Sequence, residues 1–124
     1  MIKAYTDLEQ SKKLAEILPI ESADMSWVSN GLGKPFTRTI PIKGDPEELC
    51  ACWSLAALLE QLDDSITDDN GNDWQLEIYK EDGQYYLNYH DRWGNEDDIE
   101  TNYDDDLVDA CYKMILNLHE LKLL

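Results

Sequence analysis

Trp74-Gln75-Leu76-Glu77-Ile78-Tyr79-Lys80-Glu81-Asp82-Gly83-Gln84-Tyr85-Tyr86-Leu87-Asn88-Tyr89-His90-Asp91 is the stretch whose reading decides the fold. Trp74, Leu76 and Ile78 alternate with Gln75, Glu77 and Tyr79, the two-residue rhythm of a strand covered on one side. Asp82-Gly83 then supplies a pair suited to the positive φ angles of a type I′ hairpin turn. A two-residue turn at that point fixes the register of everything around it. Ile78 then faces Leu87 and Leu76 faces Tyr89 on an apolar side, while Tyr79 faces Tyr86, Glu77 faces Asn88 and Gln75 faces His90 on a polar side. Arg92-Trp93-Gly94-Asn95 reads as the next turn and residues 99–103 as a third strand.

Helices flank this hairpin. After Asp104-Asp105-Asp106, residues Leu107, Ala110, Cys111, Met114, Ile115, Leu118 and Leu121 keep an unbroken helical rhythm to the end of the chain. The three aspartates fall where the helix dipole favours anions, and Lys113, His119 and Lys122 lie toward its other end. A second helix is expected over residues 45–62, with Asp45 as N-cap, Pro46 in the first turn and Glu48 completing a capping box. Leu49, Cys52, Trp53, Ala56 and Leu59 form its buried stripe, widened by Leu55, Leu58 and Leu62. A first helix opens on a capping box of Thr6 and Glu9 and runs to Leu18, stopped by Pro19. Residues 25–29 and 36–42 are short β-like runs around Asn30-Gly31-Leu32-Gly33, a second hairpin whose Pro35 and Pro41 suit an edge. The order is α-ββ-α-βββ-α. It describes a single α+β domain over residues 1–124, three helices packed on one face of an antiparallel sheet.

Three blocks touch all three helices: Leu18-Pro19-Ile20-Glu21-Ser22-Ala23-Asp24-Met25, Cys52-Trp53-Ser54-Leu55-Ala56-Ala57-Leu58-Leu59, and the run from Val108-Asp109-Ala110-Cys111 to the terminal Leu123-Leu124. Together they resemble a family of small uncharacterised acidic proteins of Bacteroides-type bacteria and their prophages. The β region between the blocks matches that family only in kind. The resemblance implies a bacterial cytoplasm and a phage or mobile-element origin. The family has no assigned activity, so the resemblance carries no functional residue.

Composition limits the partners. The chain has 124 residues, 43% of them hydrophobic, and a net charge of −17 from 10 basic and 27 acidic side chains. That balance argues against direct nucleic-acid binding, which draws its affinity from Lys and Arg on phosphates. The charge is also unevenly placed. Residues 1–62 hold 6 basic and 9 acidic side chains, net −3, and residues 63–124 hold 4 and 18, net −14. The densest run comprises Glu96, Asp97, Asp98, Glu100, Asp104, Asp105, Asp106 and Asp109. Its plain reading is a solvated surface that keeps a small protein soluble; its functional reading is a surface that meets a basic protein. No apolar run is long enough to span a membrane and the N-terminus turns acidic at once, so a cytoplasmic location is expected.

The remaining constellations are weaker. Counted as an EF-hand loop with Gly71 in sixth place, Asp68, Asn70 and Glu77 fall at the third, fifth and twelfth positions, a calcium candidate spoiled by Ile66 in first place. An Asn-Gly turn leading into Trp74 explains the same letters. Cys50 and Cys52 point apart if helical, and Cys52 and Cys111 lie on apolar stripes, so zinc binding or nucleophilic chemistry is not expected. His90 and His119 read as surface side chains, Gly31-Leu32-Gly33-Lys34 is too short to cradle a phosphate, and no cofactor is expected. Four tryptophans and seven tyrosines are many for this length. Tyr79, Tyr86 and Trp93 are candidates for a recognition patch, and Leu116 and Leu123, off the main stripe of the last helix, for a dimer contact. The expectation is a non-enzymatic protein that binds another macromolecule. A DNA-mimicking or nuclease-blocking inhibitor is the narrower alternative, and a small enzyme with a carboxylate site comes third.

Overall fold

A computed structural model describes residues 3–29, 33–38, 48–94, 96–101 and 103–124. The class is α+β, as the sequence implies, but the strands divide into two antiparallel sheets of three and four strands. Helix α1 is Leu8–Leu14. Its cap is Asp7 rather than Thr6: Asp7 accepts from Gln10 N and the Gln10 side chain returns the bond to Asp7 N. Thr6 is withdrawn into the core, where its Oγ1 lies 2.7 Å from Ser11 Oγ and accepts from Trp53 N at 3.2 Å. Past Leu14 the chain winds through looser turns, with Leu18 N donating to Leu14 O, before Pro19 stops it.

The first sheet has the order β2-β1-β3, built from β1 (Met25–Val28), β2 (Phe36–Arg38) and β3 (Glu48–Cys52). The β1–β2 hairpin is the one read from residues 25–42, with Trp27 opposite Thr37; residues 39–42 lie outside the described part. Strand β3 replaces the first half of the expected second helix. Helix α2 spans only Leu55–Glu60 and is capped by Ser54, whose hydroxyl accepts from Ala57 N. The expected cap at residues 45–47 lies outside the described residues. Leu49-Cys50-Ala51-Cys52-Trp53 is an unbroken apolar run, which satisfies a buried strand as well as a helical stripe. Pairing with β1 decides the matter, with Met25 opposite Cys52 and Trp27 opposite Cys50.

The second sheet has the order β4-β5-β6-β7, from β4 (Ser65–Thr67), β5 (Asp73–Glu81), β6 (Gln84–Asp91) and β7 (Ile99–Glu100). Asp82 and Gly83 have φ of 52° and 76°, the two positive values of a type I′ turn. The register is the one the turn dictates: Ile78 opposite Leu87, Leu76 opposite Tyr89, Tyr79 opposite Tyr86, Glu77 opposite Asn88. Leu87, Tyr89 and Trp74 face the core, where Trp53, Leu58, Met114, Ile115 and Leu118 meet them. Cover fades toward the hairpin turn, and Ile78 is 45% exposed.

Helix α3 (Leu107–Glu120) buries Val108, Ala110, Cys111, Met114, Ile115 and Leu118. Its end departs from the expected stripe, because Leu121 is 54% exposed. Lys122, at φ 59°, reverses the chain so that Lys122 N donates to His119 O and Leu123 N to Leu118 O. These are the paired bonds of a Schellman motif. The reversal folds Leu123 back against the protein's own core, while Leu116 stays half-buried.

Candidate interaction surface

Because β5 and β6 are in fixed register, side chains on the face away from the core follow from alternation alone. Glu77, Tyr79 and Glu81 from β5 lie beside Tyr86, Asn88 and His90 from β6, and Glu100 joins them from β7, paired with Asn88. The rings form a row. Tyr79 and Tyr86 have centroids 5.9 Å apart, and Tyr86 stacks on Tyr103 at 5.0 Å with planes 25° apart. Each hydroxyl donates to a carboxylate: Tyr79 to Glu77, Tyr86 to Glu100, and Tyr103 to Glu81 at 3.0 Å. Those bonds raise the Tyr79 and Tyr103 phenols above their ordinary range; for Tyr86, burial acts first and Glu100 adds to it.

Asp98 is the fixed point of this face. Its carboxylate accepts from Asn88 Nδ2 at 3.0 Å and from Asp91 N at 3.3 Å, and lies 3.0 Å from His90 Nδ1. The Asn88 bond, with His90 assisting, holds the Asp98 carboxyl below its usual range, and Asp98 in turn raises the His90 imidazole. Four carboxylates, Glu77, Glu81, Asp98 and Glu100, thus share the face with three tyrosines and a single histidine. Three cations of the same half are engaged: Lys80 sits over the Tyr85 ring at 5.4 Å, Lys113 lies 2.5 Å from Asp104, and Arg92, in register with Asp73 at the far end of this face, lies 3.4 Å from its carboxylate.

The other expected surface residues separate into three places. Glu96 and Asp97, with Asp68, Asp98, Glu100 and Glu120, wall a cavity of about 560 Å³ between the β6–β7 loop and the end of α3, floored by Trp74, Ile99, Leu121 and Leu123. Trp93 is 64% exposed in the turn after β6, at the opposite end of the hairpin from Tyr79. Asp104, Asp105 and Asp106 lead into α3, and of the three only Asp105 is exposed. Asp106 is 4% exposed: its Oδ1 accepts from Asp109 N and its Oδ2 from Lys3 N at 2.6 Å. It is a buried helix cap and leaves the candidate surface. Sequence reasoning missed Tyr103 and the central place of Asn88.

Asp68 and Glu77 do not come together. Asp68 closes the β4–β5 turn, accepting from Asn70 N, Asn72 N and Asn72 Nδ2, each at 2.9 Å. Glu77 stands four residues beyond Asp73 along β5, about 13 Å at the usual rise of a strand. Among the described residues no three His, Cys, Asp or Glu side chains are grouped to hold a metal ion. Burial pushes the Cys111 thiol up to about 12 and also raises Cys52, so neither is a thiolate near neutrality. No helix among the described residues is long and apolar enough to cross a membrane. The chain matches no family model, no curated protein and no solved structure.

Proposed function

We propose that the protein is a non-enzymatic binding module that presents the outer face of β5, β6 and β7 to a basic surface on another protein. One observation supports this most: four carboxylates and a row of three tyrosines share a face on which Arg92 is taken up by Asp73 at the end away from the hairpin turn. Tyr-rich surfaces supply rigid contact area, and unneutralised charge steers an oppositely charged partner. A nuclease-blocking inhibitor is the second reading. It is favoured by Asp98 and Glu100, which lie along the acidic cavity and also belong to the sheet face. On that reading the carboxylates occupy sites that Lys and Arg reserve for phosphates, and the family resemblance adds a phage or mobile-element setting.

Titration against a panel of basic DNA-binding proteins at low and moderate salt, followed by backbone NMR shifts, tests the proposal. Binding that weakens with salt, moves resonances of Tyr79, Tyr86 and Glu100, and falls in a Glu77→Gln/Glu100→Gln double variant is expected. Absence of binding at low salt, or shifts confined to other faces, would defeat it.

A further inference from the structure

We propose that the group received on this face is an arginine guanidinium, taken up at Asn88; the proposal rests on the basic-partner reading above and specifies its chemistry. Asn88 is 6% exposed, and its Nδ2 donates to Asp98, which fixes the orientation of the amide. The other end, Oδ1, is buried and accepts no hydrogen bond. Buried acceptors are nearly always satisfied, because losing water without gaining a donor is costly.

Among the described residues the register neighbours of Asn88 offer it no donor. They are the carboxylates of Glu77 and Glu100, both already served by tyrosine hydroxyls. His90, the nearest basic group on the face, is engaged with Asp98. An orphaned acceptor ringed by carboxylates calls for a donor that is also a cation. A metal ion is a poor fit, since the described carboxylates are not grouped to ligate one.

Guanidinium suits the place better than ammonium. Its planar fork offers five N–H donors, enough to reach Asn88 Oδ1 and a flanking carboxylate together. Its flat faces also stack on aromatic rings, and Tyr86, two residues before Asn88 on the same face of β6, belongs with Tyr103 to a row of such rings. An ammonium is a compact, strongly hydrated charge with no plane to stack. Glu100, exposed and opposite Asn88 in register, stands where a guanidinium would approach that oxygen.

The experiment uses two nonapeptides of equal charge, one alternating arginine with glycine and one alternating lysine with glycine, with arginine amide as a third probe. Affinity is measured by calorimetry on the full chain and on Asn88→Leu, whose folding is checked by thermal melting. Expected is about tenfold tighter binding of the arginine peptide, with Asn88→Leu reducing it to the lysine value. In the unaltered protein the Asn88 side-chain amide resonances should move with the arginine peptide alone, a readout that stands if the variant fails to fold. Equal binding of both peptides at this face overturns the arginine assignment and leaves the basic-partner reading intact. So does an arginine preference that survives Asn88→Leu. Arginine amide binding as tightly as the peptide overturns a protein partner, and no binding of either peptide at this face overturns both.

Discussion

Asp106→Ala offers the sharpest separation of structural from presented charge. The Asp106 carboxylate caps α3 through Asp109 N at 3.2 Å and holds the N-terminal segment through Lys3 N at 2.6 Å. Loss of an N-cap costs roughly 0.5–2 kcal/mol, and a charge-assisted hydrogen bond contributes about 1.5–3 kcal/mol, so truncation should cost about 3 kcal/mol. At roughly 2.1 cal/mol/K of unfolding entropy per residue, a chain of 124 residues has about 0.26 kcal/mol/K, and the loss becomes a Tm drop of about 10 °C. Asp106→Asn presents one acceptor oxygen to two donors and should fall between the parent and the alanine variant. Asp105→Ala, one residue away and exposed, should stay within about 2 °C of the parent. Differential scanning calorimetry of the three variants at pH 7 measures this. Parent-like melting of Asp106→Ala, or an equal loss in Asp105→Ala, would refute the division between buried cap and free charge.

Three further outcomes are expected. Lys122 holds the left-handed position of the α3 terminus, so Lys122→Gly should not destabilise and should gain up to about 1 kcal/mol, read by chemical denaturation. The His90 imidazole, raised by Asp98, should titrate above 6.5 by NMR and return toward that value in Asp98→Asn. Since the folded value is the higher one, that pair's stabilisation is complete below the unfolded pKa and is lost as pH rises through the folded one; for Asp98, whose pKa is depressed, it is present above the unfolded carboxylate value and lost as pH falls through the folded one. Cys52 and Cys111 should resist an aromatic disulfide reagent at pH 8 until the protein unfolds, leaving Cys50 as the thiol that reacts first.

The hairpin was legible because two independent signals agree on it: alternation sets the faces, and Asp82-Gly83 sets the register. Strand β3 was not, because five consecutive apolar residues carry no period, and only pairing with β1 distinguishes strand from helix. Strand β4 has one apolar residue, Ile66, and leaves no pattern to read. Thr6 and Asp7 are adjacent residues of equal capping chemistry, and the core contacts of Thr6 with Ser11 and Trp53 decide which of them caps. At the surface, Tyr79 opposite Tyr86 followed from register. Tyr103 reaches them only through the path of the chain after β7. A carboxylate such as Asp106 looks the same in sequence whether it caps a helix or faces water.

The charge of the second half is therefore not one quantity. At the start of α3, Lys113 beside Asp104 and Lys3 beside Asp109 neutralise carboxylates as they position them. On the sheet tyrosine hydroxyls, neutral donors, hold Glu77, Glu81 and Glu100 without cancelling their charge, and the Asn88 amide shares Asp98 with His90. A carboxylate held that way keeps its full field and gives up less side-chain freedom when a cation arrives, which lowers the entropic cost of association. A surface needed only for solubility gains nothing from ordering its carboxylates, and freely rotating side chains would serve as well. The tyrosine bonds on this face thus support the proposed recognition role.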